Sequence, residues 1–272
     1  MRIDAHVHVW PPAAAVEAEA DVVASGVNRA LLETLKTSGI DRAILVQPSV
    51  CGLDHAYLLS TLEAHPARVI GIAQVEPEDD GSFEVIEELT RLERFAGFRV
   101  PLLRASERWM DHWGERYWRL ADSRGCPITV LMAPKDLDQM HELARAYPRV
   151  PIVVDHMARL DLASDRTSAA ADLCSLASSP NVYVKWSALA FISDDVWPYR
   201  SLWPILLDVL DAFGAMRLMW GSDYPFCLKH GHYDESLAAL ALMLRECGLS
   251  DLEPEIFGAA ARRVFFSRDV GQ

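Results

Sequence analysis

Two histidines one residue apart stand near the start of the chain, His6 and His8 in Ile3-Asp-Ala-His-Val-His-Val-Trp10. On a β-strand, residues two apart point to the same side, so this pair is a ready-made grip on a divalent cation. His156 ends the run Pro151-Ile-Val-Val-Asp-His156, and Asp223 stands in Met219-Trp-Gly-Ser-Asp-Tyr-Pro225. A distant imidazole and carboxylate of this kind complete a metal shell or act as an acid–base set. Each residue also has an ordinary reading: an Asp before Tyr-Pro forms turns, and a lone His is commonly a satisfied core or surface group. Four such residues, all at the ends of strand-like runs, are better explained by convergence on one point.

The elements that would bring them together are legible as apolar, β-branched runs starting near Ile3, Ala43, Val69, Ala96, Pro127, Pro151, Asn181 and Arg217. Each spacing leaves room for a strand, a loop, a helix and a return loop, which predicts an α/β chain folded as a (β/α)8 TIM barrel. In that architecture the C-terminal strand ends converge on the active site. Alternation along strand six aligns Ile152, Val154 and His156, and along strand eight Met219, Gly221 and Asp223, with the polar residue last each time. Amphipathic patterns over 27–36, 84–92 and 137–144 supply helices. Gly39 and Gly125 are placed to cap helices, and His65-Pro66, Tyr147-Pro148 and Ser179-Pro180 to end them. An extra C-terminal helix from about Pro254 to Phe266 closes the fold, and no linker divides residues 1–272 into more than one domain.

Composition narrows the function classes. The chain has 272 residues, 51% of them hydrophobic, enough for a full core. With 39 acidic against 26 basic side chains its formal charge is −13, which disfavours nucleic acid and anionic membranes as partners. Its 5 cysteines form no CxxC pair, arguing against a disulfide framework or a cysteine zinc site. Met1 leads almost directly into the first strand, so no signal peptide is expected, and no apolar run approaches the roughly 20 residues of a membrane span. Cytoplasm is the expected location and a small molecule the expected partner. Oligomeric state stays open, a homodimer being the commonest arrangement of soluble enzymes.

The segments Ile3-Asp-Ala-His-Val-His-Val-Trp10, Gly52-Leu-Asp-His-Ala-Tyr-Leu-Leu59, Ala96-Gly-Phe-Arg99, Val153-Val-Asp-His156, Asn181-Val-Tyr-Val-Lys-Trp-Ser187 and Trp220-Gly-Ser-Asp-Tyr-Pro225 resemble the amidohydrolase 2 family of the amidohydrolase superfamily. Within it they are most similar to the branch of sugar lactonases and 2-pyrone-4,6-dicarboxylate lactonases, over nearly the whole chain. The resemblance implies the same barrel. It also has gaps: strand four ends Phe98-Arg-Val-Pro101 without a bridging Lys or Glu, and strand five ends Thr129-Val-Leu-Met-Ala133 without a His. A two-metal site is therefore disfavoured. One divalent metal, zinc or manganese, held by His6, His8, His156 and Asp223 remains, as does metal-free catalysis by the same residues.

The expected reaction is opening of a small cyclic ester, a sugar lactone or carboxylated lactone, by water. Asp223 would be the general base, and His156, with His6 and His8 or their metal, would polarise the carbonyl. A lactone isomerase, a metal-dependent decarboxylase and a non-catalytic sugar-acid binder are the alternatives. Arg99 and, less strongly, Arg104 are candidates to grip a carboxylate. Gln47, Trp10 and Tyr224 are further substrate-binding candidates, with loop shaping and packing as their ordinary readings. His55, Trp109, Trp113, Trp197, His230 and His232 form a candidate rim. Lys185, inside an apolar run, needs a counter-charge from Asp155 or Asp4, so an ion pair is expected there. His65, His112 and His141 read as surface groups, and Cys227 as a buried or loop thiol rather than a nucleophile.

Overall fold

The computed structural model describes residues 1–12, 27–77, 79–105, 114–160, 166–193 and 195–266. Eight strands run in the order of the chain: β1 (Ile3–Val7), β2 (Arg42–Val46), β3 (Val69–Gln74), β4 (Phe95–Pro101), β5 (Ile128–Leu131), β6 (Ile152–Val154), β7 (Val182–Trp186) and β8 (Leu218–Trp220). Every neighbouring pair is parallel. All eight begin within one residue of the starts expected from the sequence. Helices follow each strand in turn: α1 (Asn28–Thr37), α2 (Ala56–Ala64), α3 (Ser82–Leu89), α4 (Glu115–Arg124), α5 (Leu137–Ala146), α6 (Arg166–Ser175), α7 (Trp203–Phe213) and α8 (Glu235–Glu246). The ring closes past β8, where a parallel bridge joins Tyr224 to Val7 and the His8 amide donates to the Tyr224 carbonyl at 2.7 Å. The fold is a (β/α)8 barrel.

Local chemistry accounts for the boundaries. α5 buries Leu137, Met140 and Ala144 along one stripe and stops at Tyr147, before proline. Gly39 and Gly125, at φ +66° and +61°, take the left-handed conformation that ends α1 and α4. The expected C-terminal helix divides into a wide π-turn, Glu255–Ala259, and α9, Ala260–Phe265. Ala261, Val264 and Phe265 there pack with Ile3, Ile44, Ile72, Val153 and Met219, plugging the bottom of the barrel, while a larger apolar layer joins the outer strand faces to the helices. No helix among the described residues is long and apolar enough to cross a membrane.

Two irregularities in the ladder aim site residues. The register of β1 against β2 shifts between Asp4 and Val7. Ile3 and Ala5 face the barrel interior before the shift, whereas Val7 and Val9 face the helices after it, so His6 and His8 both turn inward. A second shift, between Phe95 and Gly97 on β4, does the same for Arg99: Ala96 lies inside, and Phe98 and Val100 lie outside.

Candidate active site

β6 and β8 end at Val154 and Trp220, so His156 and Asp223 are not aimed by strand alternation as expected. His156, Met157, Ala158 and Arg159 instead form a left-handed turn with φ of 52°, 50°, 56° and 50°. Asp223 lies at φ 61° and Ala188, after β7, at φ 55°. Left-handed backbone costs a residue with a Cβ roughly 1–2 kcal/mol, so these turns persist only because packing holds them. Strain of this kind gathers at the C-terminal rims of β6, β7 and β8. Gly221 lets the strand-eight extension approach: a Cβ there would sit 2.8 Å from the Cβ of His6.

The turns and bulges meet at one point. His6 Nε2 lies 3.2 Å from His8 Nε2 and 3.7 Å from Asp223 Oδ1, and His8 Nε2 lies 3.4 Å from the same oxygen. Bonds of 2.0–2.2 Å at tetrahedral angles place ligand atoms about 3.3–3.6 Å apart, so this triangle fits a divalent metal such as zinc. His6, His156 and Asp223 also offer ligand atoms within 4.8 Å of one another. His8 Nδ1 faces the Val46 carbonyl at 2.8 Å, which only accepts, so Nδ1 carries a proton. His156 Nδ1 meets the Ser187 hydroxyl at 2.8 Å.

Burial and charge set the protonation states. Burial pushes His156 down to about 4, so its ring is neutral at pH 7. His6 is held well below the usual imidazole value by burial and then by the Lys185 ammonium. Burial alone would raise Asp223, but the imidazoles of His156, His8 and His6 around it prevail and keep it ionised. Beneath His6 lies a buried ion cluster: Asp155 Oδ1 is 2.9 Å from Lys185 Nζ, and Oδ2 is 2.9 Å from Arg99 Nε. Of the two counter-charges expected for Lys185, Asp155 is the one in contact. Asp4 is engaged elsewhere, accepting from the Ser222 amide and the Tyr233 hydroxyl.

A cleft of about 340 Å³ opens over this point, with His8, Arg99, His156, Arg159, Asp223 and Phe226 in its wall. The other substrate-binding candidates lie outside that wall. Gln47 is buried and donates to the Gly52 and Asp54 carbonyls, shaping the loop after β2. Trp10 is buried against Phe226, and Tyr224 against Tyr233. Arg104 makes a two-pronged ion pair with Glu76 at the surface. Of the candidate rim, His230 and His232 line the cleft. His55 is buried and accepts from the Gln74 amide, and the Trp197 indole donates to the Glu235 carbonyl. Trp109, His112 and Trp113 fall outside the described residues. Cys227 lines the cleft, yet burial and then Asp223 drive its thiol well above the usual range, leaving it protonated. The sequence reading missed Arg159 as a cleft residue and Ser187 as the partner of His156. Arg159 stands three residues after His156, but only the left-handed turn brings both to one wall.

An Amidohydrolase family model matches residues 3–266. The chain is 33% identical over 186 residues to an L-fucono-1,5-lactonase of Burkholderia ambifaria, covering 65% of this chain and 63% of that protein. It is 33% identical over 150 residues to an L-fucono-1,5-lactonase of Burkholderia multivorans, covering 50% of each. The matched stretches thus span less than two thirds of these relatives. Among solved structures, an amidohydrolase of Burkholderia multivorans with bound zinc superposes with a TM-score of 0.84 at 24% identity, over 98% of this chain and 99% of that one. A putative 2-pyrone-4,6-dicarboxylic acid hydrolase of Pseudomonas putida gives 0.81 at 23% identity, over 97% of each. These structures share the barrel, and with a family model running from the first strand through the last helix, the chain belongs to the Amidohydrolase family.

Proposed function

We propose that this protein hydrolyses a small cyclic ester, a sugar lactone or a carboxylated lactone, at the cleft over His6, His8, His156 and Asp223. The observation that carries the reading is an ionised Asp223 held against two imidazole nitrogens beside a neutral His156, at the floor of a cleft large enough for one sugar ring. Similarity to proteins named L-fucono-1,5-lactonase supports the sugar lactone in particular. The cysteine set, odd in number and without CxxC, supports a cytoplasmic location.

His6, His8 and Asp223 would hold a divalent metal, which when bound supplies Lewis acidity toward the ester carbonyl. The remaining chemistry falls to the chain. Asp223 accepts a proton from water as its oxygen bonds to the carbonyl carbon. With Nδ1 anchored on Ser187, His156 presents Nε2 to the developing oxyanion as a hydrogen-bond donor. The tetrahedral centre then collapses, the ring C–O bond breaks, and Asp223 returns the proton to the leaving alkoxide. Arg99, fixed at Nε by Asp155, holds a carboxylate or ring hydroxyl of the substrate.

The test is a pH-indicator hydrolysis screen over sugar lactones with elemental analysis, before and after chelation. Stoichiometric metal with chelator-sensitive ring opening is expected. Metal-free protein with undiminished turnover would leave polarisation of the carbonyl to the His156 N–H alone, and silence on every lactone would refute hydrolysis.

A further inference from the structure

The two metal-facing histidines differ in what lies behind them. His8 Nδ1 faces a carbonyl, which fixes a proton there, so in the neutral ring Nε2 is an acceptor. His6 Nδ1 faces two groups of opposite sense: Lys185 Nζ at 3.3 Å, which only donates, and Asp155 Oδ1 at 3.4 Å, which only accepts. Both neighbours are fully buried, and so is His6. Asp155 Oδ1 has its charge met by Lys185 but receives no aligned hydrogen bond, so it is an acceptor with capacity to spare.

On the other edge of the ring, His6 Nε2 faces His8 Nε2 at 3.2 Å and Asp223 Oδ1 at 3.7 Å, both acceptors. Without a cation, and with His8 neutral as Nδ1–H, three lone-pair atoms would confront one another unless His6 Nε2 carries a hydrogen. With a cation, the same nitrogen must give that hydrogen up, because a ligand donates its lone pair.

We propose, building on the metal reading above, that His6 exchanges tautomer when the metal binds and that Lys185 and Asp155 are the positioning residues that make both tautomers tenable. In the metal-free protein His6 is Nε2–H, bonded to His8, and Lys185 donates into Nδ1. In the loaded protein His6 is Nδ1–H, donating to Asp155, and Nε2 is a ligand. The ring gains and loses one proton in the exchange, so it stays neutral throughout. Such outer partners ordinarily hold a ligand histidine in one tautomer. Here the Lys185–Asp155 pair serves two, and Lys185 favours the empty state twice over: by its donated hydrogen bond and by its positive charge beside the cation.

The test is a long-range proton–nitrogen correlation spectrum of the full chain labelled with 15N-histidine, stripped by chelation and then titrated with zinc, the His6 signals being assigned by their loss in His6→Gln. His6 is expected as Nε2–H before zinc and Nδ1–H after one equivalent, with His8 remaining Nδ1–H throughout. A His6 already Nδ1–H in the stripped protein, an imidazolium His8, or a His6 pattern unchanged while His8 Nε2 shifts would each overturn the exchange and leave the metal site standing. No response from either ring, with no bound zinc by elemental analysis, would overturn the metal reading and the exchange together. In a second measurement, Lys185→Met should tighten zinc binding about tenfold or more, equivalent to about 1.4 kcal/mol. A Lys185 that only stabilises the fold would lower the melting temperature and leave zinc affinity unchanged or weaker, which would overturn its assigned part.

Discussion

The barrel has two contrasting sectors. On the side of β3 and β4 the strands are six and seven residues long, regular apart from one register shift, and backed by apolar layers. On the side of β6 and β8 they are three residues long, and the chain leaves each into left-handed backbone carrying His156 and Asp223. The bottom, plugged by α9, is apolar; the rim after β6 to β8 carries buried charge and strain. The contrast teaches a division of labour: long strands and the plug supply the stability that the short strands and their turns use up in holding reactive groups in place.

The largest test of that division is Asp223→Asn, which should lower kcat/KM for lactone hydrolysis by about 10³-fold or more while moving the melting temperature little. Near-normal turnover in steady-state assays would remove Asp223 from the mechanism. The opposite pattern is expected from the plug: Phe266→Ala, which empties part of the same buried apolar cluster, should destabilise the fold by about 3–5 kcal/mol in urea unfolding, with kcat of the folded fraction unchanged. If Phe266→Ala altered kcat as strongly as stability, the two sectors would not be separable.

A pH series sharpens the comparison. The folded value of His156, about 4, lies below its ordinary 6.5, so the unfolded chain takes up the proton first as pH falls. The stability that neutral His156 contributes is full above pH 6.5 and lost as pH falls from 6.5 to 4. Asp4, raised to about 6 mainly by burial, works in the opposite direction, and a difference measurement cancels it. In metal-stripped protein, wild type should lose up to about 3 kcal/mol relative to His156→Asn across that window in urea melts. A constant difference would mean that His156 is not held neutral. The smallest expected effect is Ala188→Gly, which relieves left-handed strain at φ 55° and should stabilise by about 0.5–1 kcal/mol while reducing kcat, since Ser187 next to it anchors His156. Higher melting temperature with unchanged kcat would show that this strain has no bearing on the site.

Much of the molecule was open to a reading of the chain alone. Strand starts and helix stops at Gly39, Gly125 and the proline pairs followed from periodicity and residue type; His6, His8, His156 and Asp223 do meet, although for His156 and Asp223 left-handed turns and not strand alternation bring them there. Burial acts on each residue according to its own polarity, so it leaves a repeating mark in sequence. The aim of individual side chains was another matter. Gln47, just past the end of β2, and Trp10 and Tyr224, beside the core motifs, do not line the cleft, whereas Arg159 and Ser187, unremarkable in sequence, reach it or hold a residue that does.

What the sequence by itself determined is therefore the barrel and four polar residues, His6, His8, His156 and Asp223, that meet at its rim. Only the tertiary structure decided that Asp155 rather than Asp4 meets Lys185, that bulges in β1 and β4 turn His6, His8 and Arg99 inward, and that His156 leaves its strand through a left-handed turn. Each of these depends on the meeting of segments far apart in the chain and on strain that neighbouring elements hold in place. Local residue preferences carry no record of such contacts, because their energy exists only once the whole barrel has closed.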